Sequence, residues 1–193
     1  MKLLRINAEN PEKELVSFVA REVASGRIII YPTDTVYGIG CCLDTDSVKK
    51  IFEIKNRSLD KPLSVAFKDL ESAKEYVSLS TEEERYIKQH LDKPMTYVVK
   101  KKDNVPGIVT GGKETVGIRI IDNPFVRELL SCMGEPIITS SANVSGEKAP
   151  ASIDKISGEL LKKADIVIDC GRCKLGIPSK VVYAATGEPI RNY

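Results

Sequence analysis

The sequence predicts a mixed α/β (α+β) domain, one twisted mixed β-sheet flanked by helices, on three observations. Segments with helical apolar spacing interleave with β-branched runs along the whole chain. Their spacing is irregular, with no internal repeat, low-complexity tract or linker, which favours a single domain over 1–193. And 193 residues with 42% hydrophobic and 29% charged content suffice to bury a real core.

Asn10-Pro11 followed by Glu12 predicts a helix start, with asparagine as the cap and proline at the first helical position. Leu15, Phe18, Val19 and Val23 then share one face until Gly26 stops the run. "RIIIY" (27–31) reads as a buried strand. A helix from Asp46 turns Val48, Ile51 and Phe52 inward and ends near Lys55, and "LSVAF" (63–67) is a strand. Ser80 and Glu83 form a capping box at the head of a helix over 80–91. "MTYVVKK" and "TVGIRII" are strands, Asn123-Pro124 opens a helix closed by Gly134, and "PIITS" is a strand. A helix over 152–164 and the strands "DIVID" and "KVVYA" complete the chain. The polar joints at 33–38, 56–62, 102–115, 141–151 and 171–180 are where function should sit.

Composition excludes several classes. A net charge of +2 does not mark a nucleic-acid binder, although a local basic groove can hide in a balanced total. No apolar run approaches a membrane span, and "MKLLRINAENPEKE" turns polar too soon for a signal peptide. Five cysteines without framework spacing point to a reducing, cytoplasmic compartment.

Three motifs are decoys. "GIVTGGKE" (107–114) follows a phosphate-binding loop up to its last position, where Glu114 replaces the magnesium-holding hydroxyl and a strand follows instead of a helix. "CGRC" (170–173) has no second pair and no nearby histidine, so it reads as two thiols in a turn and no metal site is expected. His90, the only histidine, lies in a polar helical stretch with no nucleophile beside it. Histidine-driven catalysis is therefore not expected.

What is left is hydroxyls, amides and cations beside strands. "YPTDTVYGIG" (31–40), "TSSANVSG" (139–146) and "GIPSK" (176–180) each follow or precede a strand, and "KNRSLDKP" (55–62) crowds Lys55, Arg57 and Lys61 together. Singly, such stretches are ordinary turns, caps and solvated faces. Together they describe a cavity of neutral donors rimmed by cations, suited to phosphates and a small zwitterion.

"PTDTVYGIG", then Lys55-x-Arg57 with "DKPLS", then "VGIR", "SSANVSG" and "PSKVV" resemble, in order and spacing, the YrdC-like threonylcarbamoyl-AMP synthases. The likeness runs over nearly the whole chain and implies the YrdC-like fold in its short, stand-alone form. Lys180, Ile121 and Ala149 stand where the family commonly has threonine, proline and a hydroxyl. The resemblance implies that L-threonine, bicarbonate and ATP become threonylcarbamoyl-AMP and pyrophosphate, for the threonylcarbamoyladenosine modification of tRNA. It implies Lys55, Arg57, Ser141 and Asn143 as the catalytic signature. Thr35, Arg119, Thr139 and Ser179 would hold threonine, and Arg57, Lys61, Thr115, Ser141, Asn143 and Arg191 would hold ATP. Mg²⁺ would arrive with the nucleotide, and downstream tRNA threonylcarbamoyl-transfer proteins would take the product, with room for weak tRNA binding.

Two other readings use the same residues. A non-enzymatic module for tRNA or ribosomal RNA needs stacking aromatics and a basic stripe, but aromatics are 6% of the chain and Trp is absent. A carbamoyl-transferring relative fed by carbamoyl phosphate should carry additional domains.

Overall fold

The computed structural model describes residues 1–190. Strand β1 (Lys2–Arg5) and helix α1 (Lys13–Ala24) lead into β2 (Ile29–Tyr31), β3 (Gly38–Cys41), α2 (Thr45–Ile54) and β4 (Ser64–Phe67). The short α3 (Leu70–Ala73), β5 (Val77–Ser78), α4 (Thr81–Gln89), β6 (Met95–Lys101) and the one-turn α5 (Gly107–Thr110) follow. Then come β7 (Thr115–Ile120), α6 (Pro124–Met133), β8 (Ile137–Ser141), a 3₁₀ turn (Ile153–Lys155), α7 (Gly158–Lys163), β9 (Ile166–Asp169) and β10 (Lys180–Tyr183).

Among the described residues the ten strands form one mixed sheet, ordered β1-β9-β2-β3-β8-β4-β7-β6-β10, with β5 also on β6. The centre, β3-β8-β4, is antiparallel, whereas β4 and β7, β6 and β10, and β9 with both β1 and β2 run parallel. Period-2 alternation divides the core between the two faces. Ile28, Ile30, Val65, Phe67, Ile138 and Val167 pack on one side with α2 and α4. Ile29, Tyr31, Ala66, Ile137 and Ile166 pack on the other, with α1 and α6.

Local chemistry sets most element ends. Ser80 and Glu83 form the capping box of α4, and Asn123 Oδ1 accepts from Val126 N at 3.2 Å with Pro124 at the first helical position. Helix α1 ends on Gly26, at φ +85°, where Gly26 N bonds Val23 O and Arg27 N bonds Glu22 O, the paired bonds of a Schellman turn.

Strands β1 and β5 and the short α3 and α5 were not read from the sequence, and four other elements depart from its expectations. Helix α1 begins at Lys13, because the Asn7 side chain accepts from Glu9 N and Asn10 N and holds that stretch in a turn. Asp44, not Asp46, caps α2 by accepting from Asp46 N and Ser47 N. The 152–164 helix is divided, since Ser157 caps α7 through Leu160 N and leaves only a 3₁₀ turn before it. Strand β3 falls where a turn was read. A Cβ on Gly40 would lie 2.5 Å from Ile138 O and 3.0 Å from the Tyr31 ring, so the strand must be glycine-rich, which hides it from β-propensity.

Candidate active site

A cleft of about 210 Å³ opens where the 33–37 loop, β7, the end of β8 and the segment before β10 converge. Its first wall is the loop after β2. The Thr33 hydroxyl accepts from Thr35 N (3.1 Å) and Val36 N (3.2 Å) and donates to Val36 O (2.7 Å), a hydroxyl-closed turn that leaves Thr33 and Thr35 buried. Tyr37 N bonds Pro150 O and Ala142 N bonds Tyr37 O, which locks this loop against the one that follows β8.

Arg119 comes from β7 and is 7% exposed. Its Nη2 donates to Asp34 Oδ1 and, at 2.9 Å, to Thr35 Oγ1. Its Nε is buried and has no hydrogen-bond partner among the described residues, an arrangement that costs a folded protein about 1–3 kcal/mol unless a ligand completes it. Burial pushes the Asp34 carboxyl above the usual carboxylate range, although the Arg119 guanidinium pulls it back. Thr139, on β8, accepts from Tyr31 OH at 2.7 Å; burial pushes that phenol up to about 12, so it stays a donor.

The stretch quoted as "KNRSLDKP" leaves α2 through a second Schellman turn. Asn56 takes the left-handed conformation, φ 48°, and Arg57 N bonds Phe52 O at 2.9 Å. This turn sends its cations to different places. Lys55 is 1% exposed, and its Nζ donates to the carbonyls of Ser141 and Asn143. Burial, with repulsion from Arg57, lowers its pKa to about 7. Arg57 lines the cleft while donating to Lys61 O (3.1 Å) and Pro62 O (2.7 Å), and the Lys61 side chain is exposed. The 107–114 stretch supports this loop: Val109 O accepts from Leu63 N at 2.8 Å, and Gly111 (φ +60°) leaves no room for a Cβ against Asp60.

The last wall is a strap, residues 170–179. It lies on the 33–37 loop through Leu175 N to Asp34 O (3.1 Å) and Gly176 N to Thr35 O (2.8 Å). Tyr37 OH donates to Gly171 O and accepts from Cys170 N. Pro178 and Ser179 line the cleft, and Ser179 Oγ lies 2.8 Å from Thr96 Oγ1. Cys170 and Cys173 are free thiols whose pKa values are raised by burial, that of Cys170 to about 12. Among the described residues no three of His, Cys, Asp or Glu gather as a metal site would require. His90 caps the end of α4, with Nδ1 at 2.8 Å from Tyr86 O, and is not part of the cleft.

Of the residues singled out in the sequence, Thr35, Arg57, Arg119, Thr139, Ser141 and Ser179 line this cleft together. Lys55 and Asn143 lie in the adjoining loop packing, where Asn143 Nδ2 donates to Val144 O and Glu147 O and its Oδ1 is buried without a partner among the described residues. Lys61 and Thr115 are not among the lining residues, and Arg191 lies outside the described residues. Sequence reasoning passed over Asp34, Tyr31, Thr96 and Ser64. Asp34 stood inside the quoted "PTDT", but nothing local signals a partner 85 residues away. No helix among the described residues is long and apolar enough to cross a membrane.

The Sua5/YciO/YrdC family model, described as "Telomere recombination", matches residues 21–192. A Methanocaldococcus jannaschii protein provisionally named threonylcarbamoyl-AMP synthase is 38% identical over 183 residues, covering 94% of this chain and 86% of that protein. Among solved structures, Pyrococcus abyssi Sua5 complexed with L-threonine aligns with a TM-score of 0.90 at 30% identity, over 98% of this chain and 56% of that one. E. coli YciO aligns with a TM-score of 0.88 at 26% identity, over 98% and 94% of the two chains. The family match spans most of the sequence, and the fold agrees over nearly all of it: the chain belongs to the Sua5/YciO/YrdC family.

Proposed function

We propose that this chain is an L-threonylcarbamoyladenylate synthase, a nucleotidyltransferase acting as a single domain on L-threonine, bicarbonate and ATP in the cytoplasm. The observation that carries the reading is the meeting in one cleft of a buried, partly unsatisfied arginine, Arg119, with the hydroxyls of Thr35, Thr139 and Ser179 and with Arg57. A guanidinium recognises a carboxylate, neutral hydroxyls select the rest of a small amino acid, and a second arginine serves phosphates. The relatives named for this activity support it.

The chemistry needs no protein nucleophile. Bicarbonate takes up a proton and loses water to give carbon dioxide, and the neutral threonine amine adds to it and gives up a proton, forming a carbamate. A carbamate oxygen then attacks the α-phosphorus of ATP, the bond to the bridging oxygen breaks, and pyrophosphate leaves. Mg²⁺ would arrive with the nucleotide, because the donors around the cleft among the described residues are hydroxyls, carbonyls and cations rather than a carboxylate cluster. Arg57, with Lys61 on the same loop, would offset the charge on the leaving group. Ser141, which lines the cleft, would meet ATP, Asn143 and Lys55 would shape the adjoining loop, and Arg191 and Thr115 remain assigned to ATP by family likeness. The product would pass to proteins that transfer the threonylcarbamoyl group to tRNA.

Chromatography of labelled ATP, with each component omitted in turn, tests this. Pyrophosphate and an adenylate that decays to AMP should form only when threonine and bicarbonate are both present, without tRNA. Serine should work less well, by the ~1–3 kcal/mol of one missing methyl group. Accumulation of ADP, or pyrophosphate without threonine, would refute the reading, and no turnover of ATP at all would favour an RNA-binding module.

A further inference from the structure

Among the described residues Asp34 is the one nearly buried carboxylate beside the cleft, and the reaction above gives it no part. Its side chain is 11% exposed and it is not among the lining residues, whereas Arg119, which it contacts, is. A terminal guanidinium nitrogen has two hydrogens. Asp34 Oδ1 and Thr35 Oγ1 both accept from Arg119 Nη2, so that nitrogen is fully used by two consecutive residues of one hydroxyl-closed turn. Because the guanidinium is planar and rigid, two contacts on Nη2 fix the direction of its other donors. Nε is one of these, buried and without a partner among the described residues. The turn is itself anchored, since Asp34 O accepts from Leu175 N of the strap that brings Pro178 and Ser179 to the cleft.

We infer that Asp34 is a positioning residue: its carboxylate holds the Arg119 guanidinium in one orientation, leaving the buried Nε–H to receive an oxygen of the amino-acid substrate's carboxylate. This rests on the threonine reading above and adds a source of specificity to it. The Asp34–Arg119 pair is close to neutral as a unit. It can accept one singly charged carboxylate but is a poor host for a phosphate dianion or a polyphosphate. Asp34 thereby keeps the nucleotide out of the amino-acid end of the cleft, although both ligands are anionic and both ends carry an arginine.

The test compares Asp34→Asn, which keeps the shape and an acceptor oxygen but removes the charge, with the unchanged protein. In ¹⁵N-arginine spectra of the ligand-free protein, the Arg119 Nε–Hε signal should be sharp and shifted, and should move toward free-arginine values in Asp34→Asn. In steady-state assays the variant's KM for threonine should rise about 10- to 100-fold, with kcat and the KM for ATP within about threefold. Pyrophosphate should become a competitor of threonine in the variant only. An unmoved Nε–Hε signal, an unchanged KM for threonine, or an equal rise in both KM values would overturn the inference. If the unchanged protein binds ATP but not threonine in calorimetry, the functional reading itself fails and this inference falls with it. Failure confined to the variant comparison removes Asp34 alone.

Discussion

At one wall of the cleft Arg119 leaves β7 one residue before its end and meets a carboxylate; at the other the 55–61 stretch turns out of α2 and meets carbonyl oxygens. The first cation is buried, shares its charge with Asp34, and is held by the adjacent hydroxyl of Thr35. In the second wall Lys55 donates to the carbonyls of Ser141 and Asn143, and Arg57 to those of Lys61 and Pro62. A carboxylate cancels a cation's charge as well as aiming it, whereas a carbonyl aims it and leaves most of the charge in place. On the proposed reading, one wall is a receptor for a single small anion, and the other, through Arg57 and the exposed Lys61, is a reserve of positive charge.

The largest effect should come from breaking the paired wall. Arg119→Ala strands the Asp34 carboxylate in a buried place, which costs about 3–5 kcal/mol of stability in urea unfolding, and threonine binding should disappear from calorimetry. A loss below 1 kcal/mol would mean that the pair is not desolvated as described. The second wall should behave differently. Arg57→Ala should lower ATP affinity by about 1.5–3 kcal/mol, with threonine affinity nearly unchanged and a modest loss of stability from the Lys61 and Pro62 carbonyls it leaves. A matching loss of threonine affinity would merge the two walls into one.

Lys55 sharpens the contrast through pH. Its folded-state pKa, about 7, lies below the ordinary lysine value of 10.5. Between those values the unfolded chain binds the proton and the folded chain does not, so stability rises with pH across that window. A neutral amine still has two hydrogens for its two carbonyl acceptors, so the contacts survive proton loss. From pH 7 to 9 the unchanged protein should gain about 2 kcal/mol relative to Lys55→Met, read from paired urea titrations. Parallel pH profiles would show that Lys55 stays charged. The smallest effect belongs to the strap: Cys170→Ser with Cys173→Ser should leave turnover within about twofold and the protein zinc-free by elemental analysis, at a modest cost in stability for the buried Cys173.

What was legible in the sequence was what is encoded locally. Ser80 with Glu83 and Asn123 with Pro124 announced their helices because each cap bonds a backbone group three residues away. The aromatic and β-branched run in "MTYVVKK" gave β6 its observed bounds, Met95–Lys101. Strand β3 was not legible, because its glycines answer to the Tyr31 ring and to Ile138 on another strand. Strands β1 and β5 lie at edges and are too short for a periodic signal. In the site, ordered motifs assembled Thr35, Arg57, Arg119, Thr139, Ser141 and Ser179, which the fold brings to one cleft. The same reasoning treated Lys55, Arg57 and Lys61 as one cluster. The left-handed turn at Asn56 instead gives them three different environments, from fully buried to exposed.

The cleft is also a timer of the protein's own assembly. Arg119 reaches Thr35 across 84 positions of chain, and Ser179 reaches Thr96 across 83. β8 must enter between β3 and β4, both made long before it, for the sheet to close. Contacts of such long range form late and slowly, after the cost of closing large loops has been met. A growing chain that has just passed α2 already carries Lys55 and Arg57 but has no carbonyls from the β8 loop to hold Lys55. Affinity for the amino acid should thus be the last property the chain acquires, once the strap closes over the 33–37 loop.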